Sequence, residues 1–403
     1  MLFKNIIGQQ EVKQQLVELV SHNRLSHALL FLGKEGSGAL SLAMALGQYI
    51  SLSPGRVVAS QGASLFGEAE PAQIVLPATP DAADEWMQKQ SGFSMASDLV
   101  HPDIHFSYPV VTKKPGTPPI STDYISEWRE FVKSYPYGNV YDWLQFIGAE
   151  NKQGNITAHE CNDIIHKLSL KSFESEYKVL ILWMPEYLGN EGNKLLKLIE
   201  EPPVNTLFIL VAESESLILP TILSRCQLVK IPALETKEIE DALIGRNKTA
   251  PDAARQAASV SEGNYREALQ LLQHADEDWQ SLLREWLNAV LKTGPVAQTK
   301  WVEEISKLGR EKQKQFLRYF NHLLEQAIRS RIMGQSFYMP DKERDFAERL
   351  NKIAGLAQQQ AIIEELDRAA YYIERNANAK ILFHALTIKL YHIIQDKIVL
   401  LTT

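Results

Sequence analysis

The stretch that decides the fold is ALLFLGKEGSGALS, residues 28–41. It joins an uninterrupted apolar run, Ala28 to Leu32, to a glycine-rich loop and then to an apolar helical segment that continues through about Ile50. A short continuous apolar run is typical of a strand buried on both faces. Glycines between a strand and a helix allow backbone amides to approach an anion at the helix N-terminus. The order of strand, loop and helix therefore predicts an α/β domain with the frame of a phosphate-binding loop.

The side chains of this loop do not match the pattern of a working phosphate-binding loop. A working loop, Gly-x-x-x-x-Gly-Lys-Ser/Thr, uses its lysine to neutralise phosphate oxygens and its hydroxyl to ligate Mg²⁺. Gly33, Gly36 and Gly38 are present, but Ala39 and Leu40 stand at the lysine and hydroxyl positions. We therefore predict a degenerate loop at which ATP binding is not expected. Two alternatives stay open: an anion held by backbone amides alone, or a tight structural turn.

Bulk composition limits the class of protein. The 403 residues predict about three domains, and 45% hydrophobic with 23% charged residues is ordinary globular composition. A net charge of -7 argues against a general DNA-binding surface. Cys161 and Cys226 are too few for a cysteine zinc site or a disulfide framework. No membrane span or secretory signal is indicated, so a cytoplasmic protein is expected.

Further strands and helices alternate along the chain. Apolar runs at 178–183, 207–211 and 228–231 predict strands, and the segments between them predict helices, including one at 190–201 and one that follows a Thr157-x-x-Glu160 capping box. Strands separated by helices favour a parallel sheet. We predict an α/β domain at 1–232, with an irregular insertion at 51–122 that contains a helix near 82–90 and a strand near 105–111. A small helical domain at 233–275 and a helical domain at 276–403 follow.

Several motifs occur in a characteristic order. They are GQQEVKQQL (8–16), GKEGSG (33–38), LLKLIEEPP (195–203), NTLFILVAE (205–213), LPTILSRCQ (219–227) and EGNYREALQLL (262–272). In this order and spacing they resemble the AAA+ clamp loaders of DNA replication, most strongly over residues 1–50 and 157–275. The resemblance implies an AAA+ P-loop domain, a helical lid and an oligomerising collar formed by the C-terminal helices. Residues 51–122 have no good counterpart.

The resemblance also implies which parts of the ATPase machinery are missing. Trp183 and Met184 align with the acidic pair that holds the metal, and Ala212 aligns with a small polar sensor. An ATPase that lacks the loop lysine, the loop hydroxyl and the acidic pair together should not hydrolyse ATP, so we predict a non-hydrolysing subunit. No cofactor is expected. Relatives carry a four-cysteine zinc module after the second helix, but this chain lacks those cysteines, so no metal site is carried over. We interpret Glu186, Glu200 and Glu201 as solvated helix-terminal charges rather than a rearranged metal site.

Arg225 is the candidate catalytic residue. The resemblance implies that this arginine reaches the γ-phosphate held by a neighbouring subunit, with Ser224 supporting the turn, whereas without the resemblance it would be an exposed residue or a carbonyl cap. Arg266 matches a second sensor arginine, and here we interpret it as a relic or a structural ion-pair partner. The implied partners are the loader's ATPase subunits and its delta subunit, the sliding clamp indirectly, and primed DNA through the complex. The alternatives are an active ATPase of the same family and an adaptor without catalytic contribution.

Two other patterns invite a functional interpretation. His101 and His105 have the spacing of metal ligands on a helix, but Pro102 interrupts the helix and no third ligand is evident. The aromatic residues between 123 and 146 could stack on bases, yet the only basic residues there are Arg129 and Lys133. We therefore predict no metal at the histidines and an amphipathic packing segment at 123–146.

Overall fold

The computed structural model describes residues 1–54, 76–113, 116–149, 152–273, 279–334, 341–374 and 377–397. The chain divides into two compact units, Met1–Gln270 and Leu271–Thr403. The predicted boundary between the α/β domain and the lid lies inside the first unit, and that subdivision remains a prediction.

A parallel five-stranded sheet forms the centre of the first unit, with the order β2-β3-β4-β1-β5. The strands are β1 (Ala28–Gly33), β2 (Ile104–Ser107), β3 (Lys178–Trp183), β4 (Thr206–Ala212) and β5 (Gln227–Ile231). Leu30 in β1 is in register with Leu210 in β4 and with Leu228 in β5. The predicted α/β class with a parallel sheet is confirmed.

Both faces of the sheet are covered, which explains why its strands are continuous apolar runs. Successive side chains of a strand point to opposite faces. Leu29 and Phe31 accordingly lie in one hydrophobic cluster with Leu46, while Leu30 lies in a second cluster with Ile164. With no solvent-facing side on β1, the alternation of apolar and polar residues seen in half-exposed strands does not arise.

The helices of the first unit lie between and around these strands, and the last of them ends at Gln273, three residues beyond the boundary at Gln270. They are α1 (Gln10–Ser21), α2 (Ala39–Leu52), α3 (Pro80–Gln88), α4 (Phe93–Ser97), α5 (Ile125–Ser134), α6 (Val140–Phe146), α7 (Ala158–Ser169), α8 (Leu196–Glu200), α9 (Pro220–Leu223), α10 (Thr236–Asn247), α11 (Pro251–Val260) and α12 (Tyr265–Gln273). The last three are the short helices of the predicted lid.

Two local predictions were wrong. The helix predicted at 190–201 is α-helical only in α8, because residues 185–195 form 3-10 helix around Gly189, whose φ of 50° and ψ of -139° are not helical. The capping box before α7 is half formed. The Thr157 hydroxyl accepts from the Glu160 amide at 3.4 Å, but the fully buried Glu160 carboxylate accepts instead from the amide and hydroxyl of Ser121 at 2.7 and 2.5 Å.

The predicted insertion at 51–122 needs a correction at its C-terminal end. The strand expected near 105–111 exists as β2 and pairs in parallel with β3 from Ile104↔Val179 to Ser107↔Leu182, so these residues belong to the central sheet. The helix expected near 82–90 is α3. Residues 55–75 of the insertion lie outside the described residues.

The aromatic segment at 123–146 packs inside the first unit, as predicted. Trp128 and Trp143 are both fully buried. The Trp128 ring stacks on Tyr108 with centroids 4.0 Å apart, and its centroid lies 5.3 Å from that of Trp183 on β3. These rings build the core against one edge of the sheet and are not available as base-stacking platforms.

The described residues of the second unit are helical. The helices are α13 (Trp279–Asn288), a π-helical turn (Ala289–Thr293), α14 (Pro295–Lys307), α15 (Arg310–Met333), α16 (Asp341–Ile353), α17 (Leu356–Glu374) and α18 (Ala379–Gln395). Trp286 and Trp301 stack at its centre with ring centroids 4.6 Å apart. Apolar residues of α15 and α17 are buried in this core, among them Phe316, Phe320, Ile362 and Leu366.

Candidate functional site

The glycine loop leads from the end of β1 into α2. Gly36 and Gly38 have φ of 72° and 88°, a region that disfavours residues with a Cβ. The two positions that would carry lysine and hydroxyl side chains are buried in the core, with Ala39 7% and Leu40 6% exposed. The glycines therefore form a tight turn, and the two residues after it pack in the core.

Little space remains above the loop. The cavity at this position has a volume of about 30 Å³, which at ~10–15 Å³ per water accommodates about two waters. Trp183 and Met184 line it from the end of β3, and Tyr137 lies on its other side. The Tyr137 ring is so close that a Cβ added to Gly38 would be 3.0 Å from it. The Tyr137 hydroxyl accepts a hydrogen bond from the Ile7 amide at 2.7 Å.

A network of charged and amide side chains closes the loop further; we call it the Glu35 network, and it consists of Glu35, Asn139, Asp142, Asn264 and Arg266. Arg266, which is only 4% exposed, contacts both carboxylates. Its Nη1 donates to Glu35 Oε1 at 3.0 Å, and its Nε and Nη2 donate to the two Asp142 oxygens at 2.5 and 2.6 Å. A bidentate pair of this kind is among the stronger charge-assisted contacts in proteins.

The remaining members of the network hold the Glu35 carboxylate from both sides. The side-chain amides of Asn264 and Asn139 donate to its two oxygens at 3.1 and 3.0 Å. Asn264 also lies against the glycine loop, because a Cβ added to Gly36 would come within 1.9 Å of Asn264 Oδ1. The N-terminal end of α12 is thus attached directly to the loop. We interpreted Arg266 either as a relic or as a structural ion-pair partner, and its contacts favour the ion-pair partner.

The Glu186 carboxylate is bound by backbone amides of the first unit. Its Oε1 accepts from the backbone amides of Glu213 and Ser214, just beyond β4, at 2.6 and 2.9 Å. Burial raises the pKa of the Glu186 carboxyl above its ordinary value. Within the described ranges no group of three or more His, Cys, Asp or Glu side chains is arranged to hold a metal ion. Glu186 therefore anchors the end of β4, rather than being a solvated charge.

Arg225 follows the short helix α9 and its side chain is 29% exposed. Its Nη1 donates to the Thr221 carbonyl at 2.7 Å and to the Ser224 hydroxyl at 3.2 Å. Its Nη2 contacts Glu200 Oε1 at 2.5 Å, and the Glu200 side chain is 49% exposed. Ser224 therefore contacts the guanidinium, and its role as a supporting residue stays a prediction. Glu200, which we interpreted as a solvated charge, is its ion-pair partner.

The two histidines lie in different environments. His101 is buried, and its Nδ1 accepts from the Asp103 amide at 3.2 Å. His105 lies on β2, where burial lowers its pKa to about 4. Burial raises the thiol pKa of both Cys161 and Cys226 to about 11, so neither is primed as a nucleophile at neutral pH.

The most important contacts of this site were not identified from the sequence. Glu35 and Arg266 are 231 residues apart and Asp142 and Arg266 are 124 residues apart, so neither pair has a local pattern. The contact between Glu200 and Arg225 could have been suspected from the sequence, because the motifs that contain these two residues both border strands of the sheet. No helix within the described parts of the chain has the length and apolar character needed to cross a membrane.

Comparison with known proteins gives a consistent set of relatives. The family model described as DNA polymerase III, delta subunit, matches residues 94–235. DNA polymerase III subunit delta' of Bacillus subtilis (strain 168) is 27% identical over 264 residues, which cover 65% of this chain and 59% of that protein. Subunit tau of the same organism is 25% identical over 334 residues, 80% of this chain and 46% of that protein.

The matches thus span less than two thirds of the length of either relative. Among solved structures, a DNA polymerase III gamma subunit-related protein from Thermotoga maritima aligns with 94% of this chain and 99% of its own, at a TM-score of 0.37 and 14% identity. The family model and the two curated relatives agree with one another. The chain is therefore similar to subunits of DNA polymerase III, and the resemblance that its motifs indicate is confirmed.

Proposed function

We propose that this chain is a delta'-type subunit of a bacterial DNA polymerase III clamp loader that does not hydrolyse ATP itself. In this role it would contribute Arg225 to the γ-phosphate held by a neighbouring ATPase subunit. Its partners would be those ATPase subunits and the delta subunit, with the sliding clamp and primed DNA reached through the complex, in the cytoplasm. The observation that carries the proposal is the contrast between a closed nucleotide loop and an accessible arginine in the same domain.

The state of the loop supports the absence of hydrolysis. Ala39 and Leu40 provide neither a charge for the phosphates nor a ligand for Mg²⁺. Arg266 is engaged by Glu35 and Asp142. Trp183 and Met184 line the cleft above the loop and supply no ligand for Mg²⁺. Each of these features by itself weakens nucleotide chemistry, and here they coincide.

The surface of the second unit supports assembly into a collar. Ile381 and Ile388 are two turns apart on α18 and are 69% and 56% exposed. Both side chains lie on a helix whose opposite face, including Phe383 and Leu390, is buried in the core. Exposed aliphatic residues on one helix face are typical of a protein contact surface. A second candidate function has no comparable observation in its favour.

The proposal is tested by replacing Arg225→Ala and measuring ATP turnover of the complex reconstituted with its ATPase subunits. An arginine finger contributes about 10³ to 10⁵ in rate at the site it serves, so turnover should fall by the share that this neighbouring site provides. Arg255→Ala is the matched control, because Arg255 is 66% exposed and pairs only loosely, 3.6 Å from Glu240. Unchanged turnover with Arg225→Ala in a fully assembled complex would contradict the proposal.

A further inference from the structure

The hydrogen bonds of Arg225 limit what its guanidinium can do in this conformation. A guanidinium has five N–H donors. Nη1 uses two of them, for the Thr221 carbonyl and the Ser224 hydroxyl, and Nη2 uses one for Glu200. Nε is enclosed by protein and has no acceptor among the described residues. Within the described part of the chain this leaves one Nη2 hydrogen for an incoming ligand.

One free N–H is not enough for the contact that a phosphate normally makes with arginine. Arginine recognises phosphate through two parallel N–H···O bonds, which add both energy and geometric specificity. Such a pair uses one N–H from each of two nitrogens, so the guanidinium has to turn away from its present acceptors, Glu200 among them, before it can face one phosphate. The Glu200 carboxylate and a phosphate oxygen are therefore alternative acceptors for the same atom.

We propose that Glu200 is a positioning residue that holds Arg225 against its own subunit and is displaced when Arg225 engages the neighbour's phosphate. This inference rests on the proposed function of Arg225. Glu200 ends α8, immediately before the segment Glu201-Pro202-Pro203, so the carboxylate is fixed at a helix end while Arg225 follows α9. Both side chains are partly exposed, at 49% and 29%. Exposed ion pairs are weak and exchange readily with solvent.

The weakness of the pair sets the size of the effect. An exposed ion pair changes an equilibrium by a factor of about 1.5 to 5. Removing the Glu200 charge should therefore favour the phosphate-engaged arginine by a factor of that size. The change belongs to the engagement step, so it should appear only while Arg225 is present. A residue that merely stabilises the fold would affect turnover with or without Arg225.

The experiment is a double-mutant cycle in the reconstituted complex. Glu200→Gln, Arg225→Ala and the double variant are compared for ATP turnover, with Glu201→Gln as the matched control, because Glu201 is the adjacent glutamate and is also exposed. We expect Glu200→Gln to raise turnover about 1.5- to 5-fold, Glu201→Gln to leave it at the wild-type value, and Glu200→Gln to have no effect in the Arg225→Ala background. Thermal melting of each isolated chain verifies that the variants are folded.

The outcomes separate the two proposals. If Arg225→Ala lowers turnover while Glu200→Gln leaves it unchanged or lowers it, the displacement of Glu200 is wrong and the arginine finger stands. The same conclusion follows if Glu201→Gln raises turnover as much as Glu200→Gln does. If Arg225→Ala has no effect on the assembled complex, the arginine finger is wrong and the role of Glu200 falls with it.

Discussion

Two arginines of this chain, Arg266 and Arg225, show opposite uses of the same side chain. Arg266 is 4% exposed and contacts two carboxylates, one of them through two hydrogen bonds. Arg225 is 29% exposed and contacts one carboxylate, which is itself half exposed. Both arginines lie in motifs that resemble those of clamp loaders, yet of the two only Arg225 has a partner that solvent or another anion can replace.

The difference lies in how the charge of each arginine is balanced. At Arg266 a carboxylate from the loop itself, Glu35, supplies the negative charge, and the surrounding amides of Asn139 and Asn264 satisfy its oxygens. A buried charge is tolerated only when it is paired and hydrogen-bonded, so these residues now depend on one another. Arg225 has no such dependence, because water can solvate both members of its pair.

The largest effect on stability is expected for Arg266→Met. This change removes the Arg266 guanidinium from the partly buried carboxylates of Glu35 and Asp142, and breaking a buried pair in this way costs about 3–5 kcal/mol. Urea denaturation of the full chain measures the change in the free energy of unfolding. Arg255→Met, at a 66% exposed position, is the control and should cost less than about 1 kcal/mol. Equal losses for the two variants would show that the Glu35 network does not stabilise the domain.

A smaller loss is expected for Gly36→Ala, which tests the contact between the loop and Asn264. The new Cβ would lie 1.9 Å from Asn264 Oδ1, and φ is 72°. Gly148→Ala is matched for backbone strain, because Gly148 has φ of 68° and open space around it. The strain common to both costs about 1–2 kcal/mol, and the clash should add roughly 1–3 kcal/mol at Gly36. If Gly36→Ala and Gly148→Ala lowered the free energy of unfolding equally, Asn264 would be able to move away from the new Cβ without a loss of stability.

The smallest effect is expected for Arg225→Met. An exposed pair contributes about 0.2–1 kcal/mol, so the midpoint of urea unfolding should barely move while the complex loses turnover. This combination separates a functional arginine from a structural one. If Arg225→Met lowered the free energy of unfolding as much as Arg266→Met does, the two sites would not differ, and Arg225 would be a residue that stabilises the fold.

Much of the fold could be predicted because its signals are local. The apolar run at 28–32, the glycines after it and the run at 178–183 predicted strands that the structure confirms. The errors arose where tertiary contacts override local preference. Glu160 satisfied the capping-box pattern, but its carboxylate binds Ser121 in the interior. Beyond Gly189 the chain follows 3-10 geometry, which the spacing of apolar residues in 190–201 did not indicate.

The sequence by itself determined the parallel α/β class, the missing lysine and hydroxyl at Ala39 and Leu40, and the position of Arg225 after α9, because each depends on residues that are close in the chain. Only the tertiary structure decided how the loop is closed and what Arg225 contacts. Glu35 meets Arg266 across 231 residues, and Glu200 meets Arg225 across 25 residues and an intervening strand. Glu35 follows β1 while Arg266 lies at the start of α12, and Glu200 and Arg225 lie just before β4 and β5, so each pair forms only once the parallel sheet has brought these segments together.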